Sequence, residues 1–491
     1  MNQKEGFIMS KYLLKIILGL TLLSICISAC VHEEAGLPPI QMSETASPQI
    51  SSPTKNEVNV MSSTKEETST STQSDQVSAR FTIQADQDLK QSVSLLYESF
   101  YAQESPTFVE TGGDLLVTHT VQEEDIHASV EATFLPDSKL IPLSDDPELD
   151  DFIAFAISIE GQQSLVDAGE LPERITLTDQ AGNVLEIKQP VHRVISAHGP
   201  TTAIVYSVGV EDRLVAASYL GAKDPLGSAV MAKMDSRFPG ILGDDYFSQD
   251  RFNIEEAAVL EPELILASAR SAWIDTVSEL EIPVFLFEAE TPERLREAVL
   301  LMGQLFGPQS SVQAQVWVDY YDSTLEIIQN AISKIPMEER PRVLFSGTEP
   351  LRVASGDMYQ TDLIEAAGGF SVSSELGGYW NNVNLEQIVL WQPDVILVPP
   401  YGGASVEAIT TNPEWQILEA VQEGRVYRLP KLVAPWDTPA PDSVLGIIWL
   451  AERLYPREAP LHCAQQAAYF YNTFYNYAIT SDEIDTICSF E

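Results

Sequence analysis

Two stretches of the chain repeat one pattern, and this repeat constrains the fold more than any other feature. Residues 252–268 read FNIEEAAVLEPELILAS, and residues 383–399 read VNLEQIVLWQPDVILVP. Each stretch has Asn, then Ile or Leu, then Glu, followed by an apolar helical run and a strand that begins P-[ED]-[LV]-I-L. An internal duplication of this kind predicts two α/β lobes of similar build.

Between the two copies, apolar residues recur at steps of three and four over 295–306 and over 318–332. This spacing predicts two long helices, the second reaching about Lys334. On both sides of them short apolar strands alternate with helices, which predicts parallel sheets with helices on their faces. A hairpin signal at Gly182-Asn183 opens the first lobe.

The predicted fold class is α/β, with two Rossmann-like lobes joined by one long helix, plus a small α+β N-terminal module. Two lobes held by a stiff helix leave a cleft, and clefts of this kind bind small ligands. The predicted parts are a signal peptide (1–30), a disordered tether (31–80), the N-terminal module (81–172), a first lobe (173–290), linking helices (291–336) and a second lobe (337–491).

The N-terminal sequence predicts an export signal. Lys11 and Lys15 flank the start of an apolar run over 17–27, which ends in small residues before Cys30. This arrangement resembles the bacterial lipoprotein signal, which implies acylation of Cys30 and a lipid-anchored protein on the extracytoplasmic face of the bacterial cell membrane. An ordinary secretory signal or an uncleaved anchor is the alternative. Residues 31–80 are rich in Ser, Thr, Glu, Gln and Pro and cannot build a core, which predicts a disordered tether.

The N-terminal module reads as a separate small unit. A strand and helix are predicted over 81–101, a short strand over 115–117, and a helix pair over 147–169 that begins after Asp146. Its segments ETGGDLLVTHT and DDFIAFAISIEGQQSLVDAGELP resemble parts of molybdate-type solute-binding proteins. The module is too short for a complete two-lobe binding unit.

Composition and motifs exclude several functions. Asp and Glu number 72 against 28 Lys and Arg, a net charge of -44, so no nucleic-acid partner is predicted. No nucleophile elbow, zinc-protease motif or phosphate-binding loop is present, so the chain is not predicted to be an enzyme. Neither a metal site nor a resident cofactor is predicted. Cys463 and Cys488 lack metal-site spacing, but could close a disulfide in an oxidising compartment.

From Ile175 onward the chain resembles the ABC-importer binding proteins for iron-siderophores, haem and cobalamin, whose lobes are linked by a single long helix. The most specific segments are DQAGNVLEIKQPVHRVIS, the repeated N-[IL]-E…P-x-x-I-L motif, and PAPDSVLGIIWLAERLYP. The resemblance implies a monomer that delivers its ligand to an ABC permease and ATPase complex and touches the membrane only through its lipid anchor. It also implies docking on permease arginines through Glu255 and Glu386. The alternative is that both are ordinary acids favoured by a helix N-terminus.

The ligand is expected to contact loops at the carboxyl ends of the strands. Tyr and Trp are concentrated in these loops, and their side chains suit a large amphipathic ligand. Arg270 could pair with an anionic group, and His198 could either coordinate a metal or serve only as a hydrogen-bonding residue. The predicted ligand-binding residues are Ser196, His198, Tyr219, Tyr246, Arg270, Trp273, Tyr359, Tyr379, Trp380, Tyr401 and Trp436.

Three ligand classes remain open from the sequence. An iron-siderophore complex and a corrinoid both suit aromatic loops. Molybdate or tungstate is the alternative, because of the resemblance of residues 81–172 and because Ser-, Thr- and Gly-rich loops can present hydroxyls and N–H groups to an anion. A surface sensory or adhesion lipoprotein without transport is an alternative of a different class, since a fold does not determine a function.

Overall fold

The computed structural model describes residues 80–102, 104–119, 132–219, 221, 224–277, 280–403 and 405–489. The predicted signal peptide, Cys30 and residues 31–79 of the predicted tether lie outside these ranges. The described residues belong to one compact unit. None of the helices in these ranges combines the length and hydrophobicity needed to cross a lipid bilayer.

In its described residues, the N-terminal module has a four-stranded sheet and three helices. Its strands lie in the order Thr107–Phe108, Thr82–Ala85, Leu115–Thr118 and Lys139–Pro142, and only the last pairing is antiparallel. Its helices are Lys90–Phe100, Pro147–Ile157 and Ile159–Asp167. The Asp146 carboxylate accepts a hydrogen bond from the Glu148 N–H at 3.0 Å, which confirms the predicted start of the second helix. Phe81, Tyr97 and Phe152 pack in a hydrophobic cluster separate from those of the lobes.

The first lobe opens with an antiparallel hairpin, Arg174–Thr178 and Val184–Lys188, turning at Gly182 with a φ of 89° as the sequence predicts. Its parallel sheet has the strand order Val284–Phe287, Leu264–Ser268, Val194–Ser196 and Leu214–Ala217. Around the sheet lie the helices Gly199–Ser207, Pro225–Met234, Phe238–Ile241, Ile254–Leu260 and Ile274–Val277, a 3-10 turn at Glu211–Arg213, and the strand pair Phe247–Ser248 and Arg251–Phe252.

The second lobe has a parallel sheet in the order Phe370–Ser371, Arg342–Phe345, Val395–Val398 and Val426–Arg428. A small antiparallel pair, Arg352–Ala354 and Trp380–Asn382, lies beside it. The helices are Tyr359–Ala366, Leu385–Trp391, Val406–Thr410, Glu419–Gln422, Ser443–Leu454, Cys463–Tyr475 and Ser481–Cys488, with 3-10 turns at Met337–Glu339 and Pro413–Ile417.

The duplication seen in the sequence is visible in the topology. In each lobe the strands, numbered along the chain, lie in the order second, first, third, fourth. The repeated helices match in detail, because each begins at a capping Asn, Asn253 or Asn384. Each also ends at a residue in the left-handed conformation, Glu261 with φ 45° or Gln392 with φ 47°. The prediction of two similar α/β lobes is confirmed.

The lobes are joined through a helical hairpin. Helix Pro292–Phe306 turns at Gly307, with a φ of 111°, into helix Pro308–Ile332. An ion pair between Arg296 and Asp322 holds the two helices side by side. The second helix has 25 residues, which makes it roughly 37 Å long. This linking helix is the long connection expected between the lobes.

A disulfide and an ion pair stabilise the C-terminal tail, residues 463–489. Cys463 and Cys488 form a disulfide with a Cα–Cα distance of 5.8 Å, which answers the question left open by the sequence. In addition, the Glu483 carboxylate accepts a hydrogen bond from Tyr477 at 2.9 Å and pairs with Lys233 of the first lobe at 2.7 Å. The tail of the second lobe therefore also binds the first lobe.

Candidate ligand-binding site

A cleft of about 570 Å³ lies where the loops of the two lobes meet. In the first lobe it opens at the carboxyl ends of Val194–Ser196 and Leu264–Ser268, the adjacent strands between which the strand order reverses. Open parallel α/β sheets bind ligands at this position. The lining includes His198, Ser218, Ser248, Asp250, Ser268, Arg270, Glu288, Glu290, Met358, Gln360, Tyr379, Trp380, Tyr401 and Thr438.

Arg270 and Tyr379 face each other across this cleft. Arg270 follows the strand Leu264–Ser268 of the first lobe, and its guanidinium carbon lies 4.9 Å from the ring centroid of Tyr379 in the second lobe. The guanidinium also donates a hydrogen bond to the Glu290 carboxylate. Burial raises the pKa of Glu290, while the neighbouring Arg270 acts in the opposite direction. Arg270 is therefore already engaged by a carboxylate and by an aromatic face.

His198 lies at the N-terminus of helix Gly199–Ser207, where its Nδ1 is 2.9 Å from the Thr201 hydroxyl oxygen. Desolvation of the imidazole, together with the nearby Arg270 guanidinium, lowers the pKa of His198 to about 3. His198 is consequently neutral near pH 7 and acts as a hydrogen-bonding group. Within the ranges given above, no group of three or more His, Cys, Asp or Glu is arranged to hold a metal ion.

Trp380 forms part of the second lobe's wall and lies directly on Gly347. A Cβ atom at position 347 would come within 2.5 Å of the indole ring, so only glycine leaves room for this placement. The indole ring also contacts the Arg352 guanidinium, which lies 5.7 Å from the ring centroid. The backbone therefore fixes where this aromatic surface stands.

A buried polar group supports the wall behind Tyr401. The Tyr401 hydroxyl donates a hydrogen bond to the Asp437 carboxylate at 2.6 Å, and Gln360 Nε2 donates to the Asp437 carbonyl oxygen at 3.0 Å. Burial raises the pKa of Asp437 to about 6. Asp437 thus orients Tyr401 and Gln360, two of the residues that line the cleft.

The charges that line the cleft do not favour the binding of an anion. Glu290 pairs with Arg270, and Glu288 pairs with Arg294 at 3.0 Å. Asp250 adds a further carboxylate to the lining. Among the described residues that line the cleft, no Lys or Arg is left without a carboxylate partner. A free anion would have to displace one of these carboxylates to gain a cation.

Five of the predicted ligand-binding residues line this cleft. They are His198, Arg270, Tyr379, Trp380 and Tyr401. Their contribution to ligand binding remains a prediction.

Four other predicted residues are buried in the protein and do not reach the cleft. Ser196 accepts a hydrogen bond from Thr202 at 2.8 Å. Tyr219 donates to the Leu432 carbonyl at 3.0 Å, Tyr359 contacts the Ser443 hydroxyl at 2.6 Å, and Trp436 Nε1 donates to the Tyr471 hydroxyl at 3.4 Å. Each of these four side chains has a hydrogen-bond partner in the core, which explains why it points inward.

Tyr246 and Trp273 also lie outside the cleft lining. Trp273 packs against Phe252 with ring centroids 4.4 Å apart, and its Nε1 donates to the Ser248 carbonyl at 2.8 Å. Tyr246 is 43% exposed on the surface of the first lobe. Trp273 follows the strand Leu264–Ser268, but its packing directs it away from the cleft, whereas Tyr246 directly precedes the strand Phe247–Ser248.

Several residues of the lining, Glu290 and Gln360 among them, were not predicted to bind the ligand. Glu290 follows strand Val284–Phe287, so the rule that strand ends carry the site would have found it if applied to this fourth strand. Gln360 lies in helix Tyr359–Ala366, and no sequence pattern distinguishes it from other helical glutamines.

The predicted docking acids occupy equivalent places. Glu255 lies in the first turn of helix Ile254–Leu260 and Glu386 in the first turn of helix Leu385–Trp391. Both side chains are exposed. The structure thus places one accessible carboxylate at the same position of each lobe.

Comparison with known proteins agrees with this architecture. Residues 194–432, just under half of the chain, match the sequence profile of the periplasmic binding protein family. The chain is 22% identical over 310 residues to the molybdate-binding protein MolA of Haemophilus influenzae, covering 58% of this chain and 86% of that protein. It is 25% identical over 213 residues to a vitamin B12-binding protein of Yersinia pestis, covering 43% of this chain and 70% of that one.

A solved structure shows the same fold. A periplasmic solute-binding protein from Veillonella parvula superposes with a TM-score of 0.56 at 24% identity, covering 64% of this chain and 96% of that chain. The resemblance predicted from the sequence is therefore confirmed. Residues 194–432 of this chain are therefore similar in sequence to the periplasmic binding protein family.

Proposed function

We propose that this protein captures an uncharged or cationic metal complex, an iron-siderophore or a corrinoid, and delivers it to an ABC importer. The observation that carries this proposal is the pairing of Arg270 with Glu290 in a cleft walled by aromatic side chains. Because the Arg270 guanidinium is already neutralised by Glu290, the cleft offers apolar and hydrogen-bonding surface rather than net positive charge.

The cleft suits a ligand of considerable size. Its volume of about 570 Å³ lies within the range of pockets that enclose organic ligands, roughly 300–1,000 Å³. Tyr379 and Trp380 supply flat apolar faces, and Tyr401 and Gln360 supply polar atoms for amides or hydroxyls on the rim of the complex. The metal is part of the cargo and requires no ligand cluster from the protein.

Molybdate or tungstate is the second candidate, and two observations favour it. The chain covers most of a relative named as a molybdate-binding protein, and Arg270 stands in the cleft as a cation. Binding an oxyanion there would require Arg270 to exchange Glu290 for the ligand. A tetrahedral oxyanion would also fill only a small part of the cleft, leaving water to occupy the rest.

Delivery is proposed to use Glu255 and Glu386 as contacts for permease arginines, one on each lobe. An exposed carboxylate can bind a guanidinium through two parallel hydrogen bonds, which orients the lobe on the permease. The protein is proposed to act as a monomer, without catalysis, tethered by lipid at Cys30 on the extracytoplasmic face of the membrane.

Calorimetric titration of the purified protein with ferrichrome, cyanocobalamin and sodium molybdate tests the ligand class. We expect saturable binding of ferrichrome or cyanocobalamin, and at least tenfold weaker binding in the Trp380→Ala variant. The control is Trp391→Ala, since Trp391 lies in the same lobe but outside the cleft lining. Saturable molybdate binding without binding of the two complexes would instead select the oxyanion.

A further inference from the structure

The two most exposed large hydrophobic side chains in the described ranges occupy equivalent positions of the repeat. Val259 is 78% exposed and Leu390 is 76% exposed. Val259 is the fourth residue after Glu255, and Leu390 is the fourth residue after Glu386. Single exposed apolar residues are ordinary on protein surfaces, but these two recur at one position of a duplicated motif.

In each lobe the apolar side chain lies next to the carboxylate. Residues four apart lie on the same face of a helix, so each repeated helix presents Glu and then Val or Leu one turn later. The opposite face anchors the helix, because Ala257 and Ile388 are completely buried. Val259 and Leu390 therefore add little to the packing of their own lobes.

The composition of these two patches defines the partner that would fit them. A carboxylate calls for a cation, and a neighbouring Val or Leu calls for an apolar hollow within about one helical turn of that cation. Because the same pair occurs once on each lobe, the partner must offer this combination twice. Two equivalent subunits meet that requirement.

We propose that Val259 and Leu390 are apolar docking contacts that insert into matching hollows on the two membrane-spanning subunits of the permease. This inference rests on the proposed function, which supplies the permease as the partner. In this arrangement Glu255 and Glu386 set the orientation, while Val259 and Leu390 supply affinity. Burying one such side chain strengthens association roughly ten- to a hundredfold.

Photo-crosslinking in cells tests the contact directly. A photoreactive amino acid is placed at position 259, at position 390 or, as the control, at position 184, where Val184 is 70% exposed on the hairpin. We expect an adduct with the membrane-spanning subunit of an ABC importer at 259 and 390, at least tenfold above position 184. Equal yield at position 184, no adduct at 259 and 390, or adducts only with other proteins would overturn the inference.

Copurification of the permease subunit with the full-length lipoprotein separates this inference from the proposed function. The double variant Val259→Ser/Leu390→Ser should lower copurified permease at least tenfold, whereas Val184→Ser should not change it. Binding of ferrichrome or cyanocobalamin should be unaltered, which shows that the variant is folded.

The double variant Glu255→Arg/Glu386→Arg is compared with the serine double variant Val259→Ser/Leu390→Ser in the same copurification experiment. If Glu255→Arg/Glu386→Arg abolishes copurification and the serine double variant does not, docking through the carboxylates stands and the apolar contact is wrong. If neither double variant changes copurification, the proposed docking face is wrong together with the inference.

Discussion

The guanidinium of Arg270 lies 4.9 Å from the ring centroid of Tyr379, so each lobe contributes one partner of a cation–π contact across the cleft. The same guanidinium is held by Glu290 of its own lobe. The ion pair with Glu290 neutralises the positive charge of Arg270 within the cleft. Among the described residues that line the cleft, Arg270 is the one Lys or Arg, and it is already paired with a carboxylate.

Releasing Arg270 from its carboxylate should change which ligands bind. Glu290→Gln leaves a hydrogen-bonding side chain but removes the compensating charge, so Arg270 becomes available to anions. We expect molybdate affinity, measured by calorimetry, to rise about tenfold, with less than a threefold change for ferrichrome or cyanocobalamin. Unchanged or weaker molybdate binding would show that the Arg270–Glu290 pair does not control charge selectivity.

The position of the Trp380 ring should depend on the absence of a side chain at position 347. Gly347→Ala places a methyl group about where the indole ring lies, because the Cβ would approach the ring within 2.5 Å. We expect binding of the bulky complex to weaken about tenfold while the melting temperature stays within a few degrees. Gly403→Ala is the matched control, since its Cβ would meet only an ordinary contact at 3.4 Å. Equal effects of the two substitutions would contradict this account of Trp380.

Much of the fold was predictable because it follows from periodic patterns. The repeat around Asn253 and Asn384 predicted both the capped helices and the similar sheets, and these signals are local in the sequence. The turn at Gly182 was predictable for the same reason. The linking helix followed from its long apolar spacing.

The site was only partly predictable, because a loop position does not determine where a side chain points. Tyr379 and Tyr359 both lie in regions predicted to contact ligand, yet Tyr379 lines the cleft while Tyr359 bonds to the buried Tyr321 hydroxyl at 3.1 Å. The difference depends on partners far apart in the chain. The position of Glu290 after the strand Val284–Phe287 was predictable from the sequence, but its pairing with Arg270, twenty residues earlier, was not.

Asp442 should make stability depend on pH. Burial raises the pKa of Asp442 from 3.8 to about 6, so the folded chain holds this proton over a range where the unfolded chain has released it. Stability from this group therefore falls as pH rises between about 4 and 6, by up to about 3 kcal/mol, and is constant above that range. The melting temperature of Asp442→Asn, relative to the wild type, should rise as pH increases from 4.5 to 7, and a pH-independent difference would contradict this assignment.

The disulfide should contribute to stability by restricting the unfolded chain. Cys463 and Cys488 are separated by 25 residues, for which loop closure predicts about 3.5 kcal/mol. The Cys463→Ser/Cys488→Ser variant should melt several degrees lower, and adding a reductant should lower the wild type to the same temperature. Identical melting of the variant and the oxidised wild type would show that the bond adds no stability.

The central claim is that the cleft between the lobes carries a bulky metal complex. Native mass spectrometry with elemental analysis of protein freshly purified from cells supplied with iron and cobalamin tests it most directly. The account predicts an equimolar iron or cobalt complex that is lost in Trp380→Ala. Molybdenum or tungsten in its place, or metal-free protein from such cells, would contradict the account.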